Sequence, residues 1–122
     1  MGAQTTTAFD LARFSRALEE RDSQTQLDMY APGAEVVITD QITTPGNPRV
    51  LTGRDEIRGW IEDVSAREMT HAVGHCVEDE HGAALTEACR YPDGTNVICA
   101  TVIELSDGLI ARQTIVQAWD QN

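Results

Sequence analysis

The 122-residue chain lacks several things that would mark whole classes of function. No apolar run is long enough to span a bilayer. Met1 to Thr7 is polar and has no apolar signal region. Met1-Gly2-Ala3-Gln4-Thr5-Thr6 fits a myristoylation pattern formally, with no basic patch to support it. Gly-x-Ser-x-Gly is missing, so Ser-His-Asp catalysis has no support. A Gly-rich phosphate loop, an internal repeat and a low-complexity linker are missing too. Basic residues are scarce, 9 against 20 acidic, for a net charge of −11. Nucleic acid and anionic membrane surfaces need a positive footprint, so neither is expected as a partner. The three cysteines, Cys76, Cys89 and Cys99, are odd in number and show no Cys-x-x-Cys spacing. No metal or cofactor is expected from them. They sit in apolar strand patterns and read as buried, reduced thiols of a cytoplasmic protein. Cys89 and Cys99 could also face each other across a hairpin.

What is present fits one domain over residues 1–122, with 1–6 disordered, and enough apolar content for an ordinary core. Thr7 and Asp10 resemble a capping box, and Leu11, Phe14, Ala17 and Leu18 recur at helical spacing. A short second helix is expected from Ser23 to about Tyr30, stopped by Pro32-Gly33. Glu35 to Asp40 is a β-branched run and reads as a strand, and Arg49 to Leu51 as a short one. Thr52 is placed to cap a helix whose apolar face is Ile57, Trp60, Ile61 and Val64. Beyond Met69 the period becomes two. Thr70–Asp79, Ala83–Tyr91, Asn96–Leu105 and Leu109–Trp119 are strands with Gly- and Asp-bearing joints, which makes them antiparallel neighbours.

Period-two bookkeeping sorts the candidate chemistry. Leu85, Glu87, Cys89 and Tyr91 share one face, as do His71, Val73, His75 and Val77. An acid on an otherwise apolar strand face and an imidazole on another are both types of group that move protons. His71 and His75 stand about 13 Å apart on a strand, too far to hold one metal together. Each residue also has a plainer structural reading, as surface acid, core histidine or exposed arginine.

Several stretches resemble the nuclear transport factor 2-like superfamily, in its SnoaL-like and ketosteroid-isomerase-like group. They are Tyr30-Ala31-Pro32-Gly33-Ala34-Glu35-Val36, Leu51-Thr52-Gly53-Arg54-Asp55-Glu56-Ile57, Met69-Thr70-His71-Ala72-Val73 and Asp107-Gly108-Leu109-Ile110-Ala111-Arg112. The resemblance implies an α+β fold, a cone-shaped curved mixed or antiparallel sheet over about three helices enclosing a pocket. It also implies a homodimer paired through the outer sheet face. The isomerase tyrosine and its two aspartates fall on Phe14, Ile38 and Thr101, so an ordinary ketosteroid isomerase is not expected, unless Asp40 serves as base. The dehydratase-like tyrosine, acid and histidine fall on Phe14, Glu19 and His71.

The resemblance thus implies a cofactor-free acid-base isomerase, cyclase or dehydratase acting on an apolar polyketide-, terpenoid- or steroid-like ligand. His71, Glu87 and Asp40 are the catalytic candidates. Phe14, Glu19, Tyr30, Ile38, Trp60, Cys89, Cys99, Thr101 and Arg112 are the substrate-binding candidates. Two alternatives stand beside it: an epoxide hydrolase of the same fold, and a non-catalytic ligand- or protein-binding dimer module.

Overall fold

The computed structural model describes residues 8–121. The expected disorder of 1–6 and the Thr7 cap lie outside the described residues. Helix α1 runs Leu11–Glu20, α2 Ser23–Asp28 and α3 Arg54–Ser65. Strands are β1 Tyr30–Thr39, β2 Arg49–Thr52, β3 Thr70–Glu78, β4 Gly82–Arg90, β5 Asn96–Ser106 and β6 Leu109–Trp119. They form one curved, unclosed sheet in the order β2-β1-β6-β5-β4-β3. Among the described residues only β1 and β6 run parallel, and every other neighbouring pair is antiparallel. The α+β class, the mixed sheet and the three helices agree with the reading of the sequence.

Local chemistry sets the boundaries. Asp10 caps α1 itself, its carboxylate accepting the Arg13 amide at 2.9 Å. Asp22 does the same for α2 through Thr25. Pro32-Gly33 does not follow a helix, because β1 already begins at Tyr30. The register between β1 and β6 slips between Tyr30 and Glu35, so Pro32 lies where no ladder donor is required. Gly53, not Thr52, is the residue before α3, with φ +85° and ψ 160° that side-chain-bearing residues rarely adopt. The Thr52 amide is instead taken by the Glu56 carboxylate at 2.9 Å. Between β5 and β6, Asp107 and Gly108 both have positive φ and close a two-residue hairpin.

Two helices cover the inner face of the sheet. α1 packs on β3, and α3 packs across β1 and β2. The main core joins Phe14, Val36, Ile38, Ile57, Ile103 and Ile110, all almost wholly buried. A separate cluster of Met69, Cys89, Val97 and Cys99, flanked by Tyr91 and Trp119, lies at the other end of the inner face. The space near these clusters is not filled by side chains, and it is the site.

Candidate active site

The register lines the inward side chains up in rows. Val36, Gln113, Ile103 and Ala83 form the first, and Ile38, Ile115, Thr101 and Leu85 the second. Gln117, Cys99, Glu87 and Val73 form the third, and Trp119, Val97, Cys89 and His71 the fourth. The sheet's curvature turns these rows into one wall of a cavity, and α1 and α3 close the other with Phe14, Leu18, Trp60, Ile61 and Val64. The space not filled by atoms is about 1020 Å³, its open mouth included.

The third and fourth rows carry the titratable groups of this wall. His71 Nδ1 lies 2.8 Å from Glu87 Oε2, with only 6% and 11% of the two side chains exposed. The Cys89 thiol lies 3.3 Å from the same Nδ1. Cross-strand pairing explains the convergence: His71 on β3 is directly opposite Cys89 on β4, and Glu87 is the next inward residue along β4. The carboxylate and the thiol both address Nδ1, and Nε2 has no hydrogen-bond partner among the described residues. With Nδ1 turned to the carboxylate and the thiol, Nε2 is the ring nitrogen left to meet a ligand. Shared use of Nδ1 also rules out a cysteine–histidine–acid relay, which needs one group on each ring nitrogen.

Hydrogen bonding to Cys99, burial, and the nearby Glu87 carboxylate all push the Cys89 thiol up, so it stays protonated. The donor atoms of His71, Glu87 and Cys89 lie within 4.8 Å of one another, and these donor types could hold a soft divalent ion. The set comes from two strands, so no short sequence spacing announces it.

Ten of the twelve proposed site residues line the cavity: His71, Glu87, Asp40, Phe14, Tyr30, Ile38, together with Trp60, Cys89, Cys99 and Thr101. Asp40 sits just past the end of β1, half-buried, its carboxylate accepting the Ile42 amide at 3.0 Å and the Thr43 hydroxyl at 3.1 Å. That turn anchors it at the wall, where it bonds its own loop.

Two residues are not brought to the cavity. Glu19 is exposed on α1, and its carboxylate accepts the Val73 amide at 2.9 Å, tying the helix to the edge strand. Arg112 lies on the outer face, pairing with Glu35 at 2.9 Å and Glu104 at 3.7 Å. The cause is a bulge: Ile110 opposes Leu105 but Arg112 opposes Glu104, leaving Ala111 extra. The extra residue reverses the alternation, so Gln113 faces inward and Arg112 outward. A second bulge, between Val73 and Cys76, turns His75 and Val77 out to solvent. Cys76 is exposed as well, not buried. Cys89 and Cys99 are diagonal neighbours, since Cys89 pairs with Val97 and Cys99 with Glu87, and all three thiols are free.

Residues not singled out from the sequence also line the cavity, chiefly Gln26, Gln113, Gln117, Arg49 and Arg67. Counting the alternation of β6 backwards from Trp119 gives Gln117, Ile115 and Gln113, so that signal was present.

The family model for the SnoaL-like domain matches residues 11–113. No curated protein matches the chain in sequence. Among solved structures, it is similar to a protein of unknown function from Mesorhizobium loti described as nuclear transport factor 2-like. That pair shares 16% identity over 88% of this chain and 87% of the other, with a TM-score of 0.75. A candidate ketosteroid isomerase from Kribbella flavida shares 17% identity over 92% of this chain and 76% of its own, with a TM-score of 0.72. The epoxide hydrolase/cyclase-like enzyme SalBIII, of pyran ring formation in the polyether salinomycin, shares 22% identity. It covers 88% of this chain and 87% of its own at a TM-score of 0.67. Likeness at such identities is likeness of fold.

Proposed function

The chain belongs to the SnoaL-like domain family, and from that premise we propose that it is an acid-base enzyme acting without a cofactor on an apolar, fused-ring ligand of polyketide, terpenoid or steroid type. The observation that carries this reading is the buried 2.8 Å contact between His71 and Glu87 on a largely apolar cavity wall. His71 Nε2 takes a proton from the ligand, and Glu87 stabilises the imidazolium that results. The same imidazolium returns the proton at another position, which gives isomerisation, or to a leaving hydroxyl, which gives dehydration. Thr101 and Gln117 supply neutral polar groups along the reacting wall.

The test is incorporation of deuterium from D₂O into fused-ring ketones. Wild type should exchange protons next to the carbonyl, and His71→Ala should lower the rate tenfold or more. Equal rates in the two proteins would remove the mechanism. Epoxide opening is the second reading, favoured by Asp40 and Glu87 lining one cavity with Arg49. Conversion of a terpenoid epoxide to a diol, with exchange absent, would select it.

Pairing of two copies belongs to the same proposal. Ile98, Val102 and Val116 are each more than half exposed on the outer face of β5 and β6, an apolar patch that a second sheet would cover. Sedimentation should show a dimer that Val102→Glu dissociates; a monomeric wild type would remove this part.

A further inference from the structure

Two buried amides that the proton chemistry does not use face the same cavity. Gln113 is 4% exposed, and its Oε1 accepts the hydroxyl of Tyr30, which is 2% exposed. Gln26 is 7% exposed, and its Nε2 donates to the Ala17 carbonyl at 3.1 Å. These bonds fix which way each amide points. Gln113 is left with Nε2 as a donor and Gln26 with Oε1 as an acceptor. Among the described residues neither atom has a hydrogen-bond partner, and both residues line the cavity.

The surroundings select for a neutral group. Burial foremost, and the Glu87 charge as well, raise the Tyr30 phenol above its ordinary value against the lowering effect of Gln113. The same burial and the same negative charge disfavour an anion beside it. A cation would face the Gln113 donor.

Position sets the ligand's length. Gln113 faces Ile103, and Glu87 faces Cys99, four residues further along β5. That is about 13 Å of strand. A fused-ring skeleton matches a span of that order better than a single ring does.

We propose that Gln113, Tyr30 and Gln26 form a second polar subsite that takes a neutral oxygen, a ketone carbonyl or a hydroxyl, on the end of the ligand remote from His71. Gln113 Nε2 donates to that oxygen, Gln26 Oε1 accepts from it when it is a hydroxyl, and Tyr30 is a positioning residue. The proposal rests on the reading of the cavity as a small-molecule site.

Three probes test it: androstenedione, testosterone, and the analogue that lacks the ring-D oxygen. Binding is read from the melting-point shift, and the ring-D carbonyl stretch of bound androstenedione from infrared difference spectra. Wild type should bind both oxygenated probes at least tenfold more tightly than the deoxy analogue, because that analogue leaves buried polar atoms unpaired. The bound carbonyl should move to lower frequency. Gln113→Leu and the milder Gln113→Met should each erase the preference and the spectral shift. Tyr30→Phe, which frees the amide to turn, should weaken both, and His71→Ala should leave both intact. Equal affinity for all three probes in wild type, or a preference that survives both Gln113 variants, would overturn the subsite and leave the His71–Glu87 reading standing. Absence of binding by all three would overturn both.

Discussion

Replacing Glu87 by glutamine changes one charge and almost no volume. Glutamine keeps an oxygen beside His71 Nδ1, so the local geometry survives while the stabilisation of the imidazolium is lost. Both side chains are nearly buried, at 11% and 6% exposure, so solvent screens the pair little. Two unit charges about 4 Å apart at an effective dielectric near 20 interact by about 4 kcal/mol. The difference between a charge-assisted and a neutral hydrogen bond alone is about 1 to 2 kcal/mol. Those figures bracket the loss in the transition state, where the imidazole is gaining its proton. With tenfold in rate for each ~1.4 kcal/mol, turnover should fall roughly tenfold to a thousandfold. The effect should appear in kcat with little change in KM, because in this mechanism the carboxylate acts on the ligand through the imidazole. The assay is deuterium incorporation into androstenedione followed by mass spectrometry, with circular dichroism confirming an unchanged fold. A Glu87→Gln protein that exchanges at the wild-type rate would refute the reasoning, since the imidazole would then be working without the charge assigned to it.

Arg112→Ala should leave turnover unchanged and alter stability by less than about 1 kcal/mol, as its ion pairs are exposed; a large loss of turnover would place it back in the cavity. Gly82→Ala should lower the melting point by several degrees, because a Cβ there would lie 2.5 Å from the Ile103 carbonyl oxygen in the neighbouring strand. Iodoacetamide should modify Cys76 in the folded protein and spare Cys89 and Cys99 until denaturant is added, read by intact mass. Tyr30 gives an alkaline prediction. Its phenol is raised in the folded state, so the folded chain holds a proton that the unfolded chain loses above the ordinary value near 10. Its contribution to stability is complete below that pH and is lost as pH rises beyond it, so the urea midpoint should fall there, less steeply in Tyr30→Phe.

Agreement between sequence and structure follows the strength of the local signal. The apolar stripe of α3, the β-branched run of β1 and the Asp-Gly joint before β6 each encode their element through near neighbours. The inward face of β4 was legible because its alternation from Leu85 to Cys89 runs without a break. The start of α3 was misplaced by one residue, since Thr52 and Gly53 are both acceptable there and only φ and ψ decide for Gly53.

Alternation failed where a bulge intervened. Ala111 carries no sequence mark of an extra residue, yet it exchanges Arg112 for Gln113 at the cavity wall. The bulge between Val73 and Cys76 likewise removes His75. A bulge is decided by how two strands register against the curvature of the whole sheet, which a single strand cannot report. Glu19 failed for a related reason: its partner, the Val73 amide, is far away in the chain and meets it only because α1 lies along the edge strand.

The sequence by itself therefore determined most of the elements and the acidic balance, because these rest on composition or short-range period, while the α+β cone and the candidacy of His71 and Glu87 followed from the family that its stretches resemble. Tertiary structure alone decided that Glu87 and Cys89 meet His71 on one ring nitrogen, that Arg112 leaves the cavity wall, and that Gln26 and Gln113 join it. Those outcomes depend on the register between strands distant in sequence and on the curvature that gathers their inward faces around one hollow.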